Sequence, residues 1–167
     1  MFEPKPISRD AISSALAKAE RYRLLNEPGE AESICLDVLQ IEPDNQDALV
    51  TLVLALTDQF PHQASHGLPA RAEDLAGRLT DPYEREYYAG IIHERRAKAA
   101  LQRDSFHSSA SAVGWLHEAL ACFERAEALK PAHNDDAVLR WNACARMMQR
   151  LPHAAAVEAK AEPIESE

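Results

Sequence analysis

Histidine is the residue type with the most potential for chemistry in this chain, since seven are present. His62 and His66 are four residues apart, but they lie in the proline-flanked segment 61–69, where that spacing does not place two imidazoles on one helix face. His93 is followed by Glu94 but lacks the second histidine of a zinc-protease helix. No cysteine or carboxylate motif completes a ligand set. We therefore expect no functional metal, and we interpret His93 as a packed core residue with one satisfied nitrogen.

Nucleophilic and cofactor chemistry has no better support in the sequence. Cys35, Cys122 and Cys144 each lie among apolar or small residues, and no CxxC pair exists. The five glycines are isolated from one another, so there is no glycine-rich phosphate loop and no GxSxG motif. An odd number of thiols in apolar surroundings favours buried, reduced cysteines in a cytoplasmic protein. We expect neither an enzyme nor a cofactor.

The distribution of charge argues against two classes of partner. The formal net charge is −9, and residues 1–60 hold 11 acids and 5 bases. Such acidic segments repel phosphate backbones, so we expect no nucleic-acid partner. The longest strongly apolar run, residues 48–56, is too short to cross a bilayer, so we expect no membrane partner. One basic group is interpreted as a solvated helix face: Arg95, Arg96, Lys98 and Arg103.

The rest of the sequence favours helices. Alanine, leucine, glutamate and arginine are abundant and lose little rotamer freedom in a helix. Apolar positions recur at intervals of three and four, and no stretch alternates with period two, so no sheet is predicted. Seven helices are predicted. Six cover residues 12–25, 30–41, 47–60, 83–103, 112–129 and 135–150, and a short fourth helix is marked by Leu75 and Leu79 and closed by residues 81–82. The predicted domain is 9–150, with an N-terminal arm at 1–8, loops at 61–69 and 104–111, and a disordered acidic tail at 151–167.

The second and sixth predicted helices are similar to each other when they are aligned by their closing prolines, Pro43 and Pro131. A small residue lets two antiparallel helices approach closely, a bulky one fills the gap between helix pairs, and the proline ends the helix. The aligned pairs are Ala31 with Ala119, Cys35 with Phe123, Val38 with Ala126 and Ile41 with Leu129.

This spacing resembles the second helix of a tetratricopeptide repeat (TPR). Tyr22, nine residues before the first of these alanines, is similar to the aromatic residue of the family's first helix. The run 87–90, Tyr-Tyr-Ala-Gly, with His93 resembles the family's aromatic–glycine pattern. The resemblance covers residues 9–150 and implies an all-α, right-handed superhelix of about three degenerate helix hairpins and a solvating last helix. The second repeat matches poorly, because Asp74 stands where a bulky apolar residue is expected.

The resemblance implies a function in protein binding. Stacked hairpins of this kind form a concave groove lined by their first helices, so we expect a non-catalytic adaptor or scaffold that holds a partner peptide or helix. An alternative is a small acidic chaperone similar to the TPR-type chaperones of type III secretion systems, which are bacterial. A homo-oligomer is also left open. The groove is predicted to include Leu16, Glu20, Arg23, Val50, Leu54, Tyr87, Ile91, Glu94, Leu139 and Arg146.

Two further interpretations concern the same surface. The family's clamp for C-terminal carboxylates is not expected, because Leu16, Glu20 and Thr51 occupy its positions. Trp115 and Trp141 lie at helical spacing from other apolar residues and are interpreted as core anchors. An exposed binding hot spot at these tryptophans is the alternative.

Overall fold

The architecture is all-helical over the part of the chain that a computed structural model describes, residues 2–62, 67–103 and 106–151 (without the side chains of 106–109). Those residues form seven α-helices and one turn of 3-10 helix, Arg9–Ala11, with no strand among them. This confirms the predicted class and helix number. The helices are α1 (Ile12–Leu24), α2 (Pro28–Ile41), α3 (Gln46–Asp58), α4 (Leu68–Gly77), α5 (Pro82–Leu101), α6 (Phe106–Leu129) and α7 (Asp136–Gln149).

The helix starts follow from local chemistry. Prolines lie in the first turn of α2, α4 and α5, where a missing N–H costs nothing. The Asn45 side chain caps α3 by accepting a hydrogen bond from the Ala48 amide at 2.9 Å. Asp81 caps α5 in the same way, accepting from the Tyr83 amide at 2.9 Å. Each helix pair is therefore separated by residues that stop one helix and start the next.

The helices form two layers. Each helix packs against the next one in the chain, and in addition α1 contacts α3 and α3 contacts α5. Helix α7 reaches α5 through the hydrogen bond that Arg140 donates to Glu94, and the segment before α7 does so through the one that Asn134 accepts from Tyr83 at 3.3 Å. One layer thus consists of α1, α3, α5 and α7 side by side, and the other of α2, α4 and α6.

Three of the four residue pairs aligned between α2 and α6 share the same burial, whereas Ile41 is half-buried and its counterpart Leu129 is 49% exposed. Six of the aligned residues are fully buried: Ala31, Cys35 and Val38 in α2, and Ala119, Phe123 and Ala126 in α6. Ala72 and Ala76 of α4, with Leu79 just after its C-cap, repeat the spacing, and all three are buried. This set lies two residues later than proline alignment predicts, because Pro82 is the first residue of α5 rather than a residue between helices. Asp74 is accordingly exposed and leaves no gap in the repeat.

The contact between α5 and α6 depends on a glycine. A Cβ atom at Gly90 would lie 2.6 Å from Cε1 of Phe123, well inside van der Waals contact. Phe123 is fully buried, and its ring centroid is 5.9 Å from that of Tyr87. The backbone of α5 can therefore approach the phenyl ring only because residue 90 has no side chain.

Three predicted boundaries change. Residues 106–111, predicted as a loop, belong to α6, because the helix continues N-terminally from Ala112, which is buried near α5 residues such as Ala97. Helix α4 begins at Leu68, within the predicted loop 61–69. The predicted loop 61–69 is described only at its ends, and residues 152–167 of the predicted tail lie outside the described residues. In the predicted N-terminal arm, Ile7 packs against the cluster that contains Ile12 and Val38.

Candidate partner-binding surface

The residues of α3 that remain exposed show which side of the layer formed by α1, α3, α5 and α7 is not covered by other helices. It is contacted by α1, α2, α4 and α5, and eight of its residues are buried. The residues that keep some exposure include Asp47, Val50, Leu54 and Asp58, at intervals of three and four. This spacing places them on one narrow stripe of the helix. The stripe faces away from α2 and α4, which cover the opposite side.

The adjoining helices continue this stripe into a surface that we call the inner face. Residues seven apart in a helix lie on the same face. Leu16 and Arg23 therefore extend the stripe onto α1, and Tyr88 and Arg95 extend it onto α5. All of these residues are half-buried. The inner face comprises Leu16, Glu20 and Arg23 of α1, Val50, Leu54 and Asp58 of α3, and Tyr87, Tyr88 and Arg95 of α5.

Six of the ten predicted groove residues belong to the inner face: Leu16, Glu20, Arg23, Val50, Leu54 and Tyr87. Leu54 and Tyr87 both pack against the cluster that contains Phe123. Tyr87 also stacks on Tyr83, with 5.7 Å between ring centroids. It therefore supports the core as well as the surface.

Two predicted groove residues lie inside the protein instead. Ile91 is 2% exposed and packs in the cluster around Phe123. Glu94 is completely buried, so its prediction as a charge at the edge of the groove is corrected. Ile91 packs towards α6, whereas Glu94 contacts Arg140 of α7, and the sequence indicated neither contact. Leu139 and Arg146, also predicted, are exposed on α7.

Asp58 joins three helices of the inner face. Arg23 Nε donates to Asp58 Oδ2 at 2.9 Å, and Arg95 Nη1 donates to Asp58 Oδ1 at 3.0 Å. Each carboxylate oxygen thus has its own guanidinium, one from α1 and one from α5. Neither Asp58 nor Arg95 was predicted at the site, although Asp58 lies four residues after Leu54 and so continues the same helix stripe.

Glu94 forms the matching bridge between α5 and α7. Its Oε1 atom accepts a hydrogen bond from Lys98 Nζ, one turn along α5, and a long one of 3.5 Å from Arg140 Nη1 of α7. Its Oε2 atom is buried without a partner among the described residues. A buried carboxylate needs such cations, because transfer of an isolated charge out of water is very costly. The sequence signal was the Glu94–Lys98 spacing of four residues.

Three residues of the basic group 95–103 do not form one solvated face. Arg95 contacts Asp58 on the inner face, and Lys98 contacts Glu94. Arg96 points the other way, donating to Glu73 of α4 at 2.7 Å. The cluster divides in this way because consecutive helix residues are about 100° apart around the axis.

The tryptophans and His93 fit a packing role. Trp115 and Trp141 are half-buried and pack against the Phe123 cluster, as expected for core anchors. The His93 ring stacks on Trp115 with centroids 5.7 Å apart, and the guanidinium of Arg96 lies 3.4 Å from the Trp115 ring centroid. Burial lowers the pKa of His93. Its Nδ1 atom has no hydrogen-bond partner among the described residues, so that nitrogen is not the satisfied one that was predicted.

Burial is the main cause of the pKa shifts of Tyr88, Cys35 and Cys144. Burial, with smaller effects from Glu84 and neighbouring tyrosines, raises the pKa of Tyr88 to about 12. All three cysteines are free and buried. Burial raises the pKa of Cys35 and of Cys144 to about 12, so both remain neutral thiols near neutral pH. Within the described ranges, no group of three or more His, Cys, Asp or Glu residues is placed to hold a metal ion.

Comparison of the chain with protein-family models, with curated proteins and with solved structures finds no match in any of the three. The likeness to tetratricopeptide repeats is thus a prediction that these comparisons leave untested. No helix in the part of the chain described is both long and apolar enough to cross a membrane.

Proposed function

We propose that this protein is a non-catalytic interaction module that holds a peptide or helix of a partner protein against the inner face. The observation that carries the proposal is the α3 stripe. Val50 and Leu54 stay partly exposed in the middle of a helix that is otherwise buried by four neighbours. Keeping aliphatic side chains in water at the centre of a layer is unfavourable, which favours a partner that covers them.

The architecture supports the same proposal. Three buried triplets with the same spacing, one in α2, one in α6 and one that runs from α4 to Leu79 just after it, fit stacked helix hairpins of the tetratricopeptide type. We therefore propose a right-handed superhelix whose first helices line the inner face. Three free buried thiols suit a reducing compartment, so we propose that the module works in the cytoplasm.

The test is affinity purification of the full chain from lysate of its source cell, with partners identified by mass spectrometry. Leu54→Glu and Val50→Glu, made separately, place a charge on the inner face. Tyr87 is left unchanged because it stacks on Tyr83 and contacts Phe123. Leu36→Glu is the matched control, since Leu36 is an exposed leucine on α2 in the opposite layer.

We expect the wild type and Leu36→Glu to capture the same partner, and both inner-face variants to lose it. Circular dichroism and the melting temperature establish that each variant is folded. A partner that both folded inner-face variants retain would place binding on another surface and refute the proposal.

A further inference from the structure

Resting on the proposed function, we infer that the partner presents an acidic segment, with carboxylates beside its apolar anchors, to a row of cations that begins on the inner face and continues beyond it to α7. We call this set the ion row. Its members come from all four helices of the layer: Arg23 of α1, Asp58 of α3, Glu94, Arg95 and Lys98 of α5, and Arg140 of α7.

The ion row holds more positive than negative charge. It has four cations and two carboxylates, a net charge of +2 when both carboxylates are ionised. This excess lies within a chain whose formal net charge is −9. A local cationic strip on an acidic protein attracts anionic groups selectively, because the rest of the surface repels them.

Three of the four cations are also the members of the row that a ligand can reach most easily. The side chains of Lys98, Arg140 and Arg95 are 40%, 38% and 32% exposed. Asp58 is 18% exposed and Glu94 is completely buried. Arg95, Lys98 and Arg140 are therefore more exposed than either carboxylate, whereas Arg23, at 21%, is about as buried as Asp58.

The donors of the row exceed its acceptors. A guanidinium carries five N–H donors, and each of Arg23, Arg95 and Arg140 gives one to a carboxylate of the row. Further carboxylates from a ligand would supply acceptors in charge-assisted hydrogen bonds, the stronger kind in proteins.

The ion row lies next to the apolar residues Val50 and Leu54 of α3, which form an aliphatic patch. Asp58 lies one turn after Leu54 and two turns after Val50 in α3, so the row borders the aliphatic patch directly. A segment that fills the patch with apolar side chains brings its neighbouring residues against Arg23 and Arg95. Acidic protein fits this arrangement better than nucleic acid, because the remaining chain is acidic and the patch is aliphatic.

The test uses a random dodecapeptide library displayed on phage and selected on the immobilised full chain, followed by affinity measurement of one enriched peptide by fluorescence anisotropy. We expect the enriched peptides to carry net negative charge together with aliphatic or aromatic residues. Enrichment of neutral or basic peptides that the inner-face variant Leu54→Glu fails to bind would overturn this inference while leaving the proposed function standing. Failure to enrich any peptide would overturn both.

Substitution of single cations then locates the contact. Arg95→Gln removes a cation while Asp58 keeps Arg23, and it should weaken the enriched peptide about tenfold, the effect of losing one charge-assisted hydrogen bond. Arg85→Gln, at an exposed position of the same helix, is the control for net charge and should change affinity less than about twofold. Equal effects of the two substitutions would overturn the inference.

The chain's own acidic residues are the competing occupant. Glu158, Glu162, Glu165 and Glu167 follow α7 in the sequence. Changing all four to glutamine in the full chain should leave the affinity for the peptide within about twofold, the change expected of distant, screened surface charges. A rise of about tenfold or more would instead assign the ion row to this segment of the chain and overturn the inference of an acidic partner protein.

Discussion

The contact between Gly90 and Phe123 gives the sharpest test of the fold, because the same substitution at another glycine should have the opposite effect. In a helix interior, Gly→Ala is normally stabilising by about 1 kcal/mol. A Cβ atom at residue 90 would however lie 2.6, 2.8 and 2.9 Å from three ring atoms of Phe123. The ring cannot yield easily, since it is fully buried against Tyr87.

Overpacking of this kind costs about 1–3 kcal/mol, and a triple contact with a fully buried ring belongs at the upper end of that range. Setting this cost against the helix-propensity gain, we expect Gly90→Ala to lower the free energy of unfolding by about 1–2 kcal/mol. Gly114 is an exposed position inside α6 whose added Cβ would meet nothing within 4 Å. Gly114→Ala should therefore raise the free energy of unfolding by up to about 1 kcal/mol.

Urea denaturation at 25 °C, followed by circular dichroism, measures both changes. Phe123→Leu, made in the wild type and in the Gly90→Ala variant, completes a double-mutant cycle. We expect Phe123→Leu to cost less in the Gly90→Ala variant than in the wild type, because it relieves the overlap. If Gly90→Ala is as stabilising as Gly114→Ala, then α5 and α6 are not packed as closely as the structure has them, and the alignment of α2 with α6 loses its support.

Two further predictions concern the buried positions. Phe123→Ala leaves a cavity and should lower the free energy of unfolding by about 3–5 kcal/mol in the same denaturation assay; a loss below about 1 kcal/mol would contradict the aligned position of Phe123. Burial raises the pKa of Cys35 and Cys144 from 9.0 to about 12, so at pH 8 a thiol reagent should label the native protein slowly and the urea-unfolded protein fast. The thiols ionise at lower pH in the unfolded protein than in the folded one, so the free energy of unfolding should fall as pH rises from 9 towards 12. Fast labelling of the native protein would contradict the burial of these thiols.

The local pattern of the sequence was sufficient for the class of fold and for two of the three repeats. Ala31, Cys35 and Val38 recur as Ala119, Phe123 and Ala126, and all six are fully buried. The repeat that includes α4 was not predicted correctly, because its alignment relied on Pro82. Pro43 lies between two helices, whereas Pro82 is the first residue of a helix, so the distance from core residues to proline differs by two residues. Burial, rather than helix termination, is the property that the repeats share.

The candidate site was harder to predict than the fold. Val50 and Leu54 followed from helix spacing, since they lie on the one stripe of α3 that its neighbours leave open. The charges did not follow from spacing. Asp58, Arg95 and Arg140 come from three helices, and which carboxylate pairs with which guanidinium depends on how those helices pack. A single sequence contains no direct information on that geometry.

Glu94 explains why α7 is more than a solvating cap at the end of the layer. The carboxylate is fully buried on α5, and its partners are Lys98 from the same helix and Arg140 from α7. Without α7, the carboxylate would lose one of two cations and the side chains that exclude water from it. Leaving a charge with incomplete partners in the interior is strongly destabilising. Burial of Glu94 and docking of α7 therefore depend on each other. The ion row extends to α7 because Arg140 of that helix is the second cation that pairs with Glu94.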